Sequence, residues 1–262
     1  MRIAGILSIA WLCASGAEFD HAPLEGIVKK YVNTRGEVDY AGLKADRAGL
    51  DAYVERIAGA SPDSQTELFP SREHELAYWL NAYNALVLRA VVNAYPVASV
   101  RNLGGLLGYG VFLRKENTLG GVKMSLRSLE NDVIRKRYKE PRIHFAIVCA
   151  SISCPFLDRE VFTGATLNAH LDRVTRAFLA QRRNLTVDSA KGEITLSALF
   201  DWYKEDYGDL LTFVRKYATP ADRKAIEAVA RPKIRHYDYD WSINDLGSRA
   251  KAKSPLEREL AR

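Results

Sequence analysis

The stretch at 71–94 constrains the fold most, because it predicts a long helix that is apolar on nearly every side. Ser71 is a suitable N-cap, and Glu73 and Glu75 place negative charge in the first turn, where the helix dipole favours it. Pro96 follows closely and predicts the end of the helix. Only one narrow side is suited to water, and it runs through Tyr78, Ala82, Arg89 and Asn93. We therefore expect a central, largely buried helix.

The rest of the chain predicts short elements around this helix. Further helices are expected at 126–138, 167–179, 199–207 and 210–217, a strand at 143–149, and two hairpins that pair 111–114 with 122–125 and 185–187 with 193–196. Helices packed around a small, mostly antiparallel sheet define an α+β fold. No internal repeat and no proline-rich linker divides the chain, so we expect a single domain over 18–245.

The two ends of the chain have compositions of their own. One positive charge at Arg2, an apolar run at 3–14 and the small residues Ser15 and Ala17 predict a signal peptide at 1–17. The run is too short for a membrane span and no later segment reaches the required length, so we expect no transmembrane anchor and, with the signal peptide, a periplasmic or secreted location. The charged segment at 246–262 predicts a mobile tail.

The net charge of +6 invites the question of a nucleic-acid partner. Acidic and basic residues alternate along most of the sequence, however, and the only dense basic run lies at 135–142. That run coincides with the end of a predicted helix, where cations suit the helix dipole. Because no nucleic-acid-binding motif surrounds it, we expect no nucleic-acid partner.

Cys149 and Cys154 are the two cysteines left once the signal peptide, which contains Cys13, is removed. In an oxidising compartment they can close a disulfide over the segment CASISC. As free thiols, either of them can act as a nucleophile. The sequence leaves both possibilities open.

Three polar side chains lie on apolar helix faces. Glu130 falls within a stripe of buried positions, so its carboxylate must meet a cation, hydrogen-bond donors or a histidine. It is either part of an internal ion pair with an arginine or part of a functional site. Asn81 and Asn84 lie on the buried face of the central helix, where their amides either orient a catalytic group or tie the helix to a neighbouring loop.

His144 is the second residue of the predicted strand and Cys149 is its last. The two side chains would point to opposite faces and lie about 16 Å apart, so a direct pair is not expected. A hydrogen bond from His144 to Glu130 is the more economical arrangement. Other histidines that could act as a base for a thiol are His170 and His236.

The sequence predicts neither a metal nor a cofactor. Two cysteines five residues apart lack the two further ligands of a structural zinc site. The glycine pairs at 104–105 and 120–121 lack the strand-to-helix context of a phosphate-binding or dinucleotide-binding loop.

Four ordered segments resemble successive blocks of domain-of-unknown-function family 547: LAYWLNAYNALVLRAVVNAYPVASVRNL, SLRSLENDVIR, PRIHFAIVCASISCPFL and LSALFDWYKEDYG. The resemblance covers about residues 70–217, and YDYDWSIND is similar to a terminal block of bacterial members. It marks these positions: Trp79, Asn81, Tyr83, Asn84, Glu130, Arg135, Arg142, His144, Cys149, Cys154 and Pro155.

The resemblance implies no activity, since the family is named for lacking one. It implies a distant, fold-level similarity to papain-like or transglutaminase-like thiol enzymes. Where members commonly carry Ile-Glu-His, this chain has Leu129-Glu130-Asn131, so a histidine able to act as an acid or a base is replaced.

Two functional hypotheses follow. In the first, the protein is a thiol-dependent amide or ester hydrolase or acyl transferase, with Cys149 or Cys154 as nucleophile, His144 as the base or electrophile, and Glu130 as the group that orients His144. Asn81 or Asn84 would then donate to the developing oxyanion. In the second, it is a non-catalytic binding protein with a Cys149–Cys154 disulfide, in which Arg135, Arg142, Glu130 and His144 serve a small anionic or peptide ligand.

Overall fold

The computed structural model describes residues 18–104 and 110–249. The predicted signal peptide lies outside these residues, as does the predicted tail beyond residue 249. The α-helices are α1 Ala22–Tyr31, α2 Tyr40–Ala45, α3 Ala48–Gly59, α4 Arg72–Ala94, α5 Gly110–Leu113, α6 Leu126–Ser128, α7 Lys136–Tyr138, α8 Leu167–Leu179, α9 Leu199–Trp202, α10 Leu210–Tyr217, α11 Pro220–Glu227 and α12 Leu246–Arg249. The strands are β1 Glu116–Leu119, β2 Val122–Ser125, β3 Leu185–Asp188, β4 Glu193–Leu196 and β5 Lys233–His236. Within the described ranges, no helix is both long enough and apolar enough to cross a membrane.

Helix α4 forms the centre of the fold, as the sequence predicts. Every side chain at 76–88 is buried. The predicted wet side is therefore wrong at Tyr78 and Ala82: α3 packs against α4, and the Tyr78 hydroxyl donates to the carbonyl oxygens of Ile57 at 3.0 Å and Ala60 at 2.6 Å. One hydrophobic core, from Leu24 to Ile243, surrounds the helix.

The β-structure consists of two small sheets. Strands β1 and β2 form an antiparallel hairpin, and β3, β4 and β5 form a second sheet in which β4 and β5 are parallel. The predicted pairing of 111–114 with 122–125 is wrong in its first strand, which lies at 116–119, because Gly120 and Gly121, both with positive φ, set a two-residue turn. The predicted α+β fold of helices around small, mostly antiparallel sheets is confirmed.

The predicted strand at 143–149 is wrong. Residues Pro141–Phe145 form a 3₁₀ helix, capped by the Glu140 carboxylate, which accepts a hydrogen bond from the Arg142 backbone N–H. The turn continues as Ile147 N–H donates to the Ile143 carbonyl at 3.0 Å. Burial at 143–148 is continuous rather than alternating, which explains why periodicity alone did not distinguish a buried turn from a buried strand.

The predicted helix at 126–138 is confirmed, but its middle is wider than an α-helix. The Ser125 hydroxyl caps it by accepting from the Ser128 N–H at 3.0 Å, and residues Leu129–Arg135 form a π-helical turn between α6 and α7. Such turns insert a residue into a helix and are frequent at functional sites. This one contains Glu130.

Candidate functional site

A cavity of about 250 Å³ is lined by residues from distant parts of the chain. Helix α4 contributes Tyr83, the π-helical turn contributes Glu130, and the segment after the 3₁₀ helix contributes Cys149. The other lining side chains that matter below are Arg127, His144, Cys154, Trp202, Tyr203, Tyr239 and Trp241. The structure thus brings together the four side chains that the sequence singled out as catalytic candidates: Glu130, His144, Cys149 and Cys154.

The Cys149 thiol is held at a sharp turn. The next residue, Ala150, is buried and has a left-handed φ of 68°, a conformation that residues with a Cβ rarely adopt. Its carbonyl accepts the Asn244 N–H at 3.0 Å, and Ser151 forms an isolated β-bridge with Ile243. Contacts with the end of the chain therefore keep the backbone beside Cys149 in a strained conformation of the kind found at functional sites.

Polar hydrogens surround the half-buried Cys149 sulfur. The Ser151 Oγ lies 3.0 Å from Sγ, and the Tyr239 hydroxyl lies 3.4 Å from it. Hydrogen bonding, first from the Cys154 thiol and then from Ser151 and Tyr239, lowers the pKa of Cys149 to about 7. A large fraction of this sulfur is therefore thiolate near neutral pH, the state in which cysteine is nucleophilic.

Cys154 has the opposite character. It is buried, and burial raises the pKa of its thiol well above the ordinary value. Its sulfur also accepts a hydrogen bond from the Cys149 backbone N–H at 2.9 Å. Both cysteines are free thiols in this structure, with Cys154 supporting Cys149 rather than facing a ligand as an equal nucleophile.

Two tyrosines hold Glu130. The Tyr203 hydroxyl donates to Oε1 at 2.7 Å, and the Tyr83 hydroxyl donates to Oε2 at 3.3 Å. Burial raises the pKa of Glu130 even though both hydroxyls and the charge of Arg135 oppose the shift. Of the partners that such a carboxylate requires, the chain supplies neutral hydrogen-bond donors, and the raised pKa means that the side chain keeps its proton to a higher pH than an exposed glutamate does.

The expected hydrogen bond between His144 and Glu130 is replaced by another. His144 Nε2 lies 2.6 Å from Oδ2 of Asp206. The imidazole stacks on the Tyr203 ring, with centroids 3.9 Å apart, and the hydroxyl of that tyrosine reaches Glu130. Burial outweighs the attraction of Asp206 and lowers the pKa of His144 to about 4, so the ring is neutral at physiological pH.

The two arginines predicted to bind a ligand are engaged with acidic side chains. Arg135 Nε bonds Asp206 Oδ2 at 2.7 Å, and its guanidinium lies 5.0 Å from the centre of the Tyr203 ring. Arg142 bonds Glu140 and Asp172, each at 2.6 Å. These ion pairs use both guanidinium groups to connect parts of the fold, and neither side chain is among those that line the cavity.

Asn81 and Asn84 tie α4 to loops. Asn81 bonds both the carbonyl and the N–H of Phe162, at 2.7 and 3.0 Å. Asn84 donates to the Ala146 carbonyl at 2.9 Å and accepts from the Val148 N–H at 3.0 Å. Both amides are bound to backbone groups, and neither side chain is among those that line the cavity, so neither is placed to donate to an oxyanion there. Asn84 instead fixes the residue before Cys149.

Sequence reasoning missed several residues of the site, all from the last third of the chain: Trp202, Tyr203, Asp206, Tyr239 and Trp241. They lie in the segments DWYKEDYG and YDYDW, where aromatic and acidic residues alternate. That composition and the resemblance of both segments to family blocks are the signals that could have pointed to them. The contacts themselves were not predictable, because Asp206 is 62 residues from His144 and Tyr239 is 90 residues from Cys149 in sequence.

One cluster outside the cavity has metal-ligand chemistry. Among the described residues, Asp158, Glu160 and His170 place their ligand atoms within 4.8 Å of one another. Arg173 bonds Asp158 at 2.8 Å and Glu160 at 2.6 Å, while His170 Nε2 lies 3.1 Å from Asp158. The guanidinium already supplies the positive charge in this cluster.

Comparison with known proteins gives one match. Residues 68–179 match the model of a family described as "Protein of unknown function, DUF547". No curated protein and no solved structure matches the chain. The matched range is shorter than the 70–217 suggested by the sequence blocks. It contains Glu130, His144, Cys149 and Cys154, whereas Tyr203, Asp206 and Tyr239 lie beyond it.

Proposed function

We propose that the cavity makes this chain, which belongs to the DUF547 family of unknown function, a thiol-dependent acyl hydrolase or acyl transferase. The substrate class is an ester or an amide. The observation that carries the proposal is the environment of Cys149: a half-buried sulfur at a strained turn, lining a cavity and surrounded by the donors of Cys154, Ser151 and Tyr239.

In the first step the Cys149 thiolate attacks the acyl carbon. A C–S bond forms as the carbonyl π bond opens, and negative charge develops on the acyl oxygen. The Tyr239 hydroxyl lies 3.4 Å from the sulfur and is therefore a candidate donor to that oxygen. Asn81 and Asn84 have no part in this step.

The second step expels the leaving group. The bond from the acyl carbon to the alcohol oxygen or amine nitrogen breaks, and that atom takes the proton of Glu130. The raised pKa of Glu130 supports this role, because a carboxyl group must retain a proton near neutral pH to act as a general acid. Tyr83 and Tyr203 orient it through their hydroxyl groups.

The third step releases the acyl group. Water, or an acceptor alcohol or amine, attacks the thioester and gives its proton to the Glu130 carboxylate. The C–S bond breaks and the Cys149 thiolate returns, which leaves the enzyme in its starting state. Hydrolysis and transfer differ only in which nucleophile enters the cavity.

His144 has a positioning role in this proposal and does not contact the substrate. Its ring is neutral, bound to Asp206 and stacked on Tyr203, so it positions the tyrosine that holds Glu130. The Ile-Glu-His pattern of the family, which here reads Leu129-Glu130-Asn131, is then not required for the chemistry. Export to the periplasm or beyond, with removal of 1–17, is part of the same proposal and rests on the sequence alone.

The test measures the mass of the mature protein after brief alkylation, over a range of pH, with and without prior reduction. We expect Cys149 to be alkylated first, with a midpoint near pH 7, and p-nitrophenyl acetate to leave one acetyl group on it. Cys149→Ser should abolish acetylation, while Cys154→Ser provides the matched control that retains the nucleophile.

Two outcomes would contradict the proposal. The first is acetylation that persists in Cys149→Ser. The second is a pair of thiols that react only after reduction, which would instead support the alternative of a non-catalytic binding protein closed by a Cys149–Cys154 disulfide.

A further inference from the structure

Arg127 supplies the one guanidinium group found among the lining residues that the structure describes. Arg127 is exposed, and no hydrogen bond or ion pair joins its guanidinium to another of the described residues. This contrasts with Arg135, which lies two turns further along the same helical segment and is bound to Asp206 and Glu205. A cation at the edge of a cavity with no carboxylate partner is placed to meet an anion from solution.

Glu130, the only carboxylate among the described residues of the lining, is not paired with Arg127. Glu130 points to the hydroxyl groups of Tyr83 and Tyr203, and burial favours its protonated form. The backbone of Arg127 is held in place, because its carbonyl oxygen accepts a hydrogen bond from Asn131 Nδ2 at 3.0 Å. Asn131 also lines the cavity one turn later, so both residues face it.

Another wall of the cavity is aromatic and apolar. Trp202, Tyr239 and Trp241 pack their rings together, with centroid distances of 4.7 Å for Trp202–Tyr239, 4.4 Å for Tyr239–Trp241 and 5.5 Å for Trp202–Trp241. Trp202 remains 43% exposed, and the side chains of Phe112 and Leu113 add further apolar surface. Such a wall gains free energy by covering an apolar or aromatic group of a ligand.

From these two features we infer that the cavity selects acyl compounds that carry both an apolar group and a carboxylate. The apolar group lies against Trp202 and Trp241, and Arg127 binds the carboxylate. This inference rests on the proposed function for the reaction at Cys149, but the recognition of the acid does not depend on that chemistry.

The experiment measures binding of 3-phenylpropionate and of its neutral isostere 3-phenylpropanamide. Trp202 and Trp241 line the cavity, so the intrinsic fluorescence of the full protein reports occupancy. The titration is run at pH 6, below the pKa of Cys149, so that the thiol is neutral and does not repel the acid. We expect the acid to bind about tenfold more tightly than the amide, as a charge-assisted hydrogen bond provides.

Arg127→Gln should reduce this ratio to about one, and Arg127→Lys should keep part of it because the charge remains while the paired donors are lost. Arg114→Gln removes an exposed guanidinium that does not line the cavity and should leave the ratio unchanged.

Equal affinity of the wild-type protein for the two compounds would overturn the inference. A preference for the acid that survives in Arg127→Gln would also overturn it, as would a failure of the wild-type protein to bind either compound. Alkylation of Cys149 is measured on the same samples. A reactive Cys149 with no preference for the acid contradicts only the inference, whereas a preference for the acid with an unreactive Cys149 contradicts only the proposed reaction.

Discussion

His144 Nε2 lies 2.6 Å from Asp206 Oδ2, and this contact joins the 3₁₀ helix to a segment 62 residues later in the chain. A neutral imidazole donates its Nε2–H to the carboxylate, which also binds Arg135 at 2.7 Å. Although burial acts against it, these two bonds hold the pKa of Asp206 below its ordinary value. The pair fixes the plane on which Tyr203 stacks, and Tyr203 in turn holds Glu130.

The first prediction concerns stability in acid. In the unfolded chain His144 takes up a proton near its ordinary pKa of 6.5, whereas in the folded protein its pKa is about 4. The contribution of His144 is therefore fully present above pH 6.5 and is lost as the pH falls from 6.5 to 4. We expect His144→Gln to remove this dependence, so that the free energy of unfolding of the wild-type protein falls by about 3 kcal/mol more than that of the variant over this interval.

Chemical denaturation at several pH values measures the difference. His21 has a similarly lowered pKa in both proteins, so its contribution cancels. His236→Gln, at an exposed position, is the matched control and should follow the wild-type curve. Parallel curves for the wild-type protein and His144→Gln would show that His144 is not the group responsible.

The second prediction separates the two cysteines. The Cys154 thiol is the strongest of the donors that lower the pKa of Cys149. Cys154→Ala removes that donor, so we expect the alkylation midpoint of Cys149 to rise from about 7 toward the ordinary thiol value of about 8.5. The rate of iodoacetamide alkylation as a function of pH gives the midpoint. A midpoint that stays near 7 would mean that Ser151 and Tyr239 alone suffice.

The third prediction concerns Tyr239, which reaches Cys149 across 90 residues of sequence. Tyr239→Phe keeps the ring against Trp241 and removes only the hydroxyl group. We expect the pKa of Cys149 to rise by about one unit, the equivalent of one hydrogen bond to a charged group. Tyr237→Phe is the matched control. The Tyr237 hydroxyl lies 2.6 Å from Thr186 Oγ1, so this variant loses a comparable bond away from the cavity and should leave the alkylation midpoint of Cys149 unchanged.

Helix α4 was predictable because the signals for its limits and its burial lie within its own segment of the sequence. Acidic residues in the first turn, a long apolar run and a following proline specify it without reference to the rest of the chain. The predicted cap is wrong in one respect, because the Ser71 hydroxyl bonds the Glu73 side chain and makes no capping hydrogen bond to the helix backbone. The segment at 143–149 was not predictable by the same reasoning. Its apolar run is compatible with a strand or a buried turn, and the choice depends on Asn84, which binds Ala146 and Val148 from another element.

The site shows the same division between local and distant information. Glu130 could be singled out because a carboxylate within an apolar helix stripe needs partners whatever the fold. Its actual partners could not be named: Tyr203 is 73 residues away and Tyr83 is 47 residues away. The assignment of His144 to Glu130 failed for this reason, since the carboxylate beside His144 belongs to Asp206, 62 residues later in the chain.

The fourth prediction tests how α4 holds the backbone at Cys149. Asn84→Ala leaves the Ala146 carbonyl and the Val148 N–H without partners in a buried place, which we expect to cost about 2 to 4 kcal/mol of the free energy of unfolding. Asn93→Ala, an exposed change on the same helix, should cost less than about 1 kcal/mol. Denaturant melts of the two variants decide the matter, and similar costs at both positions would contradict a structural role for the Asn84 amide.

The last prediction separates Glu130 as an acid from Glu130 as a structural group. Glu130→Gln preserves the shape of the side chain and an oxygen for the Tyr203 hydroxyl, so the protein should fold and Cys149 should still react with iodoacetamide, because the departing iodide needs no proton. Transfer from an alkyl ester requires a proton on the leaving alkoxide, and we expect its rate to fall by about 10² to 10⁴. Acylation of Cys149 by p-nitrophenyl acetate, measured as the first acetyl group added before the thioester is released, should fall much less, because its leaving group departs as an anion. Equal losses with both esters would mean that Glu130 only maintains the cavity, whereas a loss confined to the alkyl ester identifies its proton as the one that the leaving group takes.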